Sequence, residues 1–256
     1  MTSPADPVAV AEFRAARDRV LEVIARACAR AGRSPAEVTL VAVSKTVPAD
    51  RLAAAIASGF TLLGENRVQE IVAKAPELPG ALWHLVGPLQ SNKARRAVEL
   101  CAAIESVDSV ELAWRLDRLV REVRGLPDGG AVDPGQRLPV FLQVNVDDDP
   151  AKFGFAPQAV AAALDDLAGA GALTIAGLMT VGRLVSSPEA ARETFAGLRQ
   201  LSGRLRGGSG PGHPVLGAGL SMGMSEDYAV AIEEGATVVR VGRAIFGARA
   251  TPAAAG

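Results

Sequence analysis

From Val8 to Ala31 the apolar residues Val10, Phe13, Val20, Leu21, Ile24 and Cys28 fall at helical spacing, and six arginines up to Arg33 take other positions. The spacing predicts an amphipathic leading helix that Gly32 ends. Ser34, Pro35 and Glu37 then supply a cap, a first-turn proline and the acid of a capping box, so a short helical turn follows. Beyond it one pattern recurs: a short run rich in Val, Leu and Ile, a polar loop, and a helix-period segment. Four predicted strand and helix pairs are Thr39 to Ser44 with Pro48 to Ser58, Thr61 to Gly64 with Arg67 to Lys74, Leu82 to Val86 with Ser91 to Leu100, and Ala102 to Val107 with Val110 to Arg124. Leu138 to Val146 and Leu173 to Val181 are the next strands, followed by helices over Pro157 to Ala168 and Pro188 to Arg206. Val215 to Leu220 and Thr237 to Val241 complete eight predicted strands.

Strands that read as continuous apolar runs are covered on both faces, as parallel strands with crossover helices are. Eight such units in about 220 residues fit a (β/α)8 barrel better than an open doubly wound sheet, which is the alternative. The expected class is therefore α/β, a single TIM-type barrel with an extra N-terminal helix. Leading helices are expected over residues 1–37, the barrel over 38–249 and a tail over 250–256. The Gly- and Pro-rich stretches Gly125 to Arg137 and Gly207 to Pro214 read as surface loops within one domain.

Composition narrows the partners. The 256 residues are 49% hydrophobic and 21% charged, enough apolar surface for a sizeable core, which excludes a disordered chain. Lys plus Arg total 27 against 28 Asp plus Glu, so no bulk charge attracts nucleic acid. Cys28 and Cys101 make neither a disulfide framework nor a C-x-x-C pattern, which suits a reducing cytoplasm. Neither a basic-then-apolar leader nor an apolar run approaching about 20 residues is found, so export and membrane insertion are not expected. His84 and His213 leave little material for an imidazole-bound zinc or iron.

A barrel carries its chemistry where strands end at their C-termini. Here those closures are polar: Ser44-Lys45-Thr46, Glu65-Asn66, His84 with Gly87, Ser106 with Asp108, Asn145, Met179-Thr180, Ser221 to Ser225, and Arg240 with Gly242-Arg243. Of the 27 basic residues only Lys45, Lys74, Lys93 and Lys152 are lysines, so a plain positive charge is written Arg in this chain. Lys45, closing an apolar strand, is the candidate that needs an amine, because Arg does not shed its proton to become a nucleophile. Lys74 reads as a surface or salt-bridge group. The small-residue run Gly217 to Ser225 and the turn Val241-Gly242-Arg243-Ala244 each let backbone N–H groups approach an anion, which suggests a phosphate. An amine facing a phosphate leaves a lysine-dependent phosphosugar enzyme or a pyridoxal phosphate protein. Arg240, if it faces a pyridine nitrogen rather than forming a structural ion pair, disfavours protonation of that ring by like-charge repulsion.

The segments Val43-Ser44-Lys45, Gly64-Glu65-Asn66-Arg67-Val68-Gln69-Glu70, His84 to Lys93 (HLVGPLQSNK), Gly177-Leu178-Met179, Leu220 to Ser225 (LSMGMS) and Val239 to Gly247 (VRVGRAIFG) together resemble the pyridoxal phosphate homeostasis family, the YggS and PROSC-type proteins. The resemblance spans nearly the whole chain in matching order. It implies a fold like the alanine racemase N-terminal barrel and a protein that binds pyridoxal 5′-phosphate for intracellular homeostasis without established turnover. It also implies Lys45 as the Schiff-base lysine, Arg240 facing the pyridine nitrogen, and Ser221 with the Gly242 and Arg243 amides at the phosphate. Asn66, His84, Met222 and Ser225 would line the pocket, although His84 also reads as a satisfied strand-end histidine. Two departures stand out. Pro150 and Phe153 alter the lead-in to Lys152-x-Gly154, which leaves any transfer role for Lys152 open, and Arg243 stands where a small hydroxyl residue is common.

Racemisation needs acid-base groups on both faces of the cofactor. The chain stops nine residues after Gly247, so a second-domain tyrosine is not expected, and Tyr228, the one tyrosine present, reads as a packing residue. A non-enzymatic carrier is the expectation, with a weak amino-acid racemase as the alternative. Apo-enzymes that need the cofactor are the expected partners, and a monomer is the expected state.

Overall fold

A computed structural model describes residues 6–130, 132–182, 187–207 and 212–247. The expected tail over 250–256, and residues 131 and 208–211 of the two expected loops, lie outside the described residues.

The chain opens with helix α1 (Pro7–Arg30), whose N-terminus is capped by the Asp6 side chain accepting from the Val8 N–H. Phe13, Ala16, Val20, Ile24, Ala27 and Cys28 form its buried stripe, three or four residues apart as a helix facing a core requires. The capping box at Ser34 is present: its hydroxyl accepts from the Ala36 N–H, and Glu37 accepts from the Ser34 N–H at 2.8 Å. Strands then alternate with helices: β1 (Thr39–Val43), α2 (Ala49–Ala57), β2 (Leu62–Glu65), α3 (Val68–Lys74), β3 (Leu82–Leu85), α4 (Ala94–Leu100), β4 (Cys101–Val107) and α5 (Val110–Arg124). The second half runs β5 (Leu138–Gln143), α6 (Val160–Asp166), β6 (Leu173–Met179), α7 (Arg192–Leu205), β7 (Gly219–Met224), α8 (Tyr228–Glu233), β8 (Val238–Val241) and α9 (Arg243–Phe246). Among the described residues the eight strands are parallel in chain order, and β8 returns to β1 to close the barrel with Val41 opposite Arg240.

The two-residue period of the strands separates two cores. A large one packs the outer strand faces against the helices. A smaller one, Val41, Val43, Val86, Phe141, Met179 and Val238, fills the lumen. Arg240 lies two residues after Val238 and so shares its inward face.

Three expectations change. The seventh strand is Gly219–Met224, not Val215 to Leu220. Val215 and Leu216 owe their apolarity to packing from a turn, and the strand starts where Gly219 meets Gly177 of β6 so closely that a Cβ on Gly177 would fall 1.9 Å from the Gly219 carbonyl oxygen. The fifth strand stops at Gln143, because the chain folds back to bridge Val144 with Phe155. The helices expected from Ser91, Pro157 and Pro188 begin as 3-10 turns before their α-helical parts.

Candidate functional site

Lys45 follows β1 and is half-buried. Its neighbours are fixed: the Ser44 hydroxyl donates to Glu65 Oε1 at 2.7 Å, Lys74 Nζ donates to the Ser44 carbonyl at 3.1 Å, and the Thr46 N–H donates to Glu70 Oε2 at 3.0 Å. Gly242, just past β8, packs on the Val43 carbonyl, where a Cβ would stand 3.0 Å from the oxygen. The ends of β1 and β8 therefore bring the lysine and the second glycine turn to one side of the mouth.

Across that mouth Arg240 is buried inside the lumen, 5% exposed. One guanidinium nitrogen donates to Ser221 Oγ and the other to the Thr180 carbonyl at 2.7 Å. The Ser221 hydroxyl in turn donates to Glu105 Oε2 at 2.6 Å, and Glu105 Oε1 lies 2.5 Å from His84 Nδ1. Facing a carboxylate, that ring nitrogen is the donor. Burial alone would raise the Glu105 carboxyl, but His84, Arg240 and the Ser221 hydroxyl outweigh it and hold the group below the usual carboxylate range. Burial lowers Arg240, against the opposing pull of Glu105 and Asp227.

Ser225 is the hydroxyl at the second turn: its Oγ accepts from the Gly242 N–H at 3.1 Å and from the Ala244 N–H at 3.4 Å. Arg243 is exposed beside them and pairs with Glu226 at 2.7 Å. The structure thus separates the two serines, with Ser221 in the lumen between Arg240 and Glu105 and Ser225 at the amides. Asn66 is half-buried after β2, its backbone pressed against Gly87. The Met222 side chain departs from expectation. It is fully buried in the helix-facing core, because in β7 it points opposite to Ser221. Tyr228 is buried in the same core. Lys152 reaches Asp147 Oδ2 at 3.2 Å and Asp149 Oδ2 at 3.8 Å.

Sequence reasoning passed over Glu105, although it is the one charge inside the run Ala102 to Val107, and a lone acid within an apolar strand is the signal that finds it. It also left Glu65, Glu70 and Lys74 unconnected, since their meeting depends on how α3 packs on β1 and β2. Among the described residues no cluster of ligands could hold a metal ion, and no helix is long and apolar enough to cross a membrane.

The family of the alanine racemase N-terminal domain matches residues 18–250. A Pseudomonas aeruginosa relative named pyridoxal phosphate homeostasis protein is 40% identical over 233 residues, covering 90% of this chain and 93% of its own. An Escherichia coli relative of the same name is 38% identical over 247 residues, covering 90% and 94%. The chain belongs to the pyridoxal phosphate homeostasis family. A solved structure, PipY of Synechococcus elongatus with pyridoxal phosphate bound, aligns with a TM-score of 0.72 at 39% identity over 88% of this chain and 100% of that one. Alanine racemase of Clostridium difficile shares the fold, with a TM-score of 0.64 at 13% identity over 91% of this chain and 60% of that one. The homeostasis relatives thus match this barrel over nearly their full length, whereas the racemase extends well past it.

Proposed function

We propose that this chain binds pyridoxal 5′-phosphate at the barrel mouth, holds it reversibly through Lys45, and serves as an intracellular carrier that hands it to apo-enzymes rather than as a catalyst. The carrying observation is a half-buried lysine just past β1 and a pair of backbone amides just past the adjacent strand β8, with a buried guanidinium on the lumen side. The donor set fits the group. When bound, pyridoxal phosphate supplies an aldehyde that condenses with a primary amine and releases water, a reversible step with no redox change.

The chain's own residues divide the rest. The Gly242 and Ala244 amides with Ser225 take the phosphate, and the Arg243 side chain or its backbone amide adds attraction for the anion. Arg240 faces the pyridine nitrogen and, being cationic, keeps a proton off it, which weakens the ring as an electron sink. Ser221 then aligns Arg240 instead of contacting phosphate, because its hydroxyl is already engaged by Glu105 and Arg240. Asn66 and His84 line the mouth, and the His84 Nδ1–H is committed to Glu105. Buried Tyr228 supplies no second acid-base group to the mouth, which supports a carrier over a racemase.

Borohydride reduction of the protein with pyridoxal phosphate, followed by peptide mapping, tests the reading. The label should fall on Lys45 and vanish in Lys45→Ala while that variant keeps its circular dichroism. A label elsewhere, or rapid deuterium uptake at the α-carbon of alanine, would overturn the binding or the carrier assignment respectively.

A further inference from the structure

The proposed function leaves unused a charge cluster that grips the backbone on both sides of Lys45. Lys74, 12% exposed along its side chain, donates to Glu65 Oε1 at 2.6 Å, to Glu70 Oε2 at 3.0 Å and to the Ser44 carbonyl at 3.1 Å. Those three acceptors account for the three N–H groups of an ammonium. A guanidinium presents its donors in a flat fork and cannot converge on three acceptors around one atom, which explains a lysine at 74 in a chain that otherwise prefers arginine. Glu65 and Glu70 also bond the flanking residues, through the Ser44 hydroxyl and the Thr46 N–H. Thr46 has φ of +67°, a left-handed conformation that a β-branched residue resists unless its surroundings impose it.

Stability alone does not account for the cluster. Glu65 is fully buried, and its Oε2 has no hydrogen-bond partner. A bare buried carboxylate oxygen is unfavourable, and an apolar set of similar volume would often hold the strands as well. The cluster does achieve one specific result: it fixes Ser44 facing away from the lumen and bends the chain at Thr46, so Lys45 is held between two pinned residues.

We propose that Lys74, Glu65 and Glu70 are positioning residues that lock the Ser44-Lys45-Thr46 bend and so aim the Lys45 amine at the aldehyde. The proposal rests on the Lys45 linkage argued above and deepens it. Its test uses the full-length chain with Lys74→Met, Lys74→Arg, Glu70→Ala and Glu70→Gln. Three quantities are read: affinity for pyridoxal 5′-phosphate, affinity for pyridoxine 5′-phosphate, which keeps ring and phosphate but lacks the aldehyde, and hydrogen exchange at the Thr46 amide. Lys74→Met, Lys74→Arg and Glu70→Ala should lose about tenfold or more in affinity for the aldehyde while holding pyridoxine phosphate within about twofold, since small misplacement of a reacting group is costly. Thr46 exchange should accelerate in the same variants. Glu70→Gln keeps a carbonyl acceptor for the Thr46 N–H and should behave like the native chain.

Equal losses for both ligands would mean general damage and overturn the proposal, as would unchanged aldehyde affinity in Lys74→Met and Glu70→Ala. If Lys74→Met fails to fold, the Glu70 pair decides, because that carboxylate is 27% exposed. If the native chain carries no label on Lys45, the binding assignment fails instead. Thr46 exchange then still reports whether the lock exists.

Discussion

Glu105 and Glu65 are both buried carboxylates at the ends or middles of strands, and their environments push them in opposite directions. Glu105 lies below the ordinary value, so its contribution to stability is complete above about pH 4.3 and is lost as pH falls through its lowered value. Burial, only partly offset by Lys74 and Ser44, raises Glu65, so its ionisation disfavours the fold at neutral pH and the penalty eases as pH falls through the raised value. Glu105→Gln should cost about 3–5 kcal/mol at neutral pH by leaving the buried Arg240 with only the weaker pull of Asp227, and should flatten the fall in stability from about pH 5 downward. Urea unfolding across that range checks both. Burial also pushes the Cys101 thiol up to about 12. Iodoacetamide at about pH 8 should therefore leave Cys101 unmodified in the native protein and alkylate it after unfolding, as mass spectrometry would show. At this scale the sequence singles out Lys45 as a candidate, through the rarity of lysine, and Arg240, through its place at the end of an apolar run. It does not reveal which serine meets which partner, because that depends on alternation within a strand whose start is hidden by glycines.

Element order was legible because apolar runs and helical periods alternate without a break from Thr39 to Val241. Boundaries were less so where glycine replaces an apolar side chain. β7 begins with Gly219, and β6 passes it at Gly177, so the signal of burial there is the lack of a side chain rather than the presence of one. Gly177→Ala should destabilise by about 3 kcal/mol or more, since the added carbon meets backbone that cannot step aside. Gly203, exposed within α7 with open space around it, makes the matched control. Gly203→Ala should stabilise by about 0.5–1 kcal/mol through helix propensity. Thermal melts of the two variants should therefore move in opposite directions.

For the whole molecule, α1 does more than precede the barrel. Phe13 meets Phe246 of α9 edge-on at 5.6 Å, and Arg33 donates to the carbonyls of Ile232 and Ala236, each at 2.9 Å. Arg30 and Arg192 share Glu233, so the leading helix is tied to α7 and α8 by a surface network of modest individual strength. Because α9 follows directly on Gly242, the position of the amide turn depends on a helix that begins more than two hundred residues earlier. Phe13→Ala should cost about 3–5 kcal/mol and also weaken pyridoxine 5′-phosphate binding, although Phe13 sits outside the mouth. Calorimetric titration beside a denaturation curve separates the two effects.

The Ser225 hydroxyl, which accepts from both the Gly242 and Ala244 amides, bears on how the proposed phosphate site would empty. An arriving oxyanion competes with an internal acceptor for those two donors, and a departing one leaves neither donor stranded. On the proposed reading, such an internal acceptor lowers the net gain from binding an anion there, which favours easy surrender over tight retention.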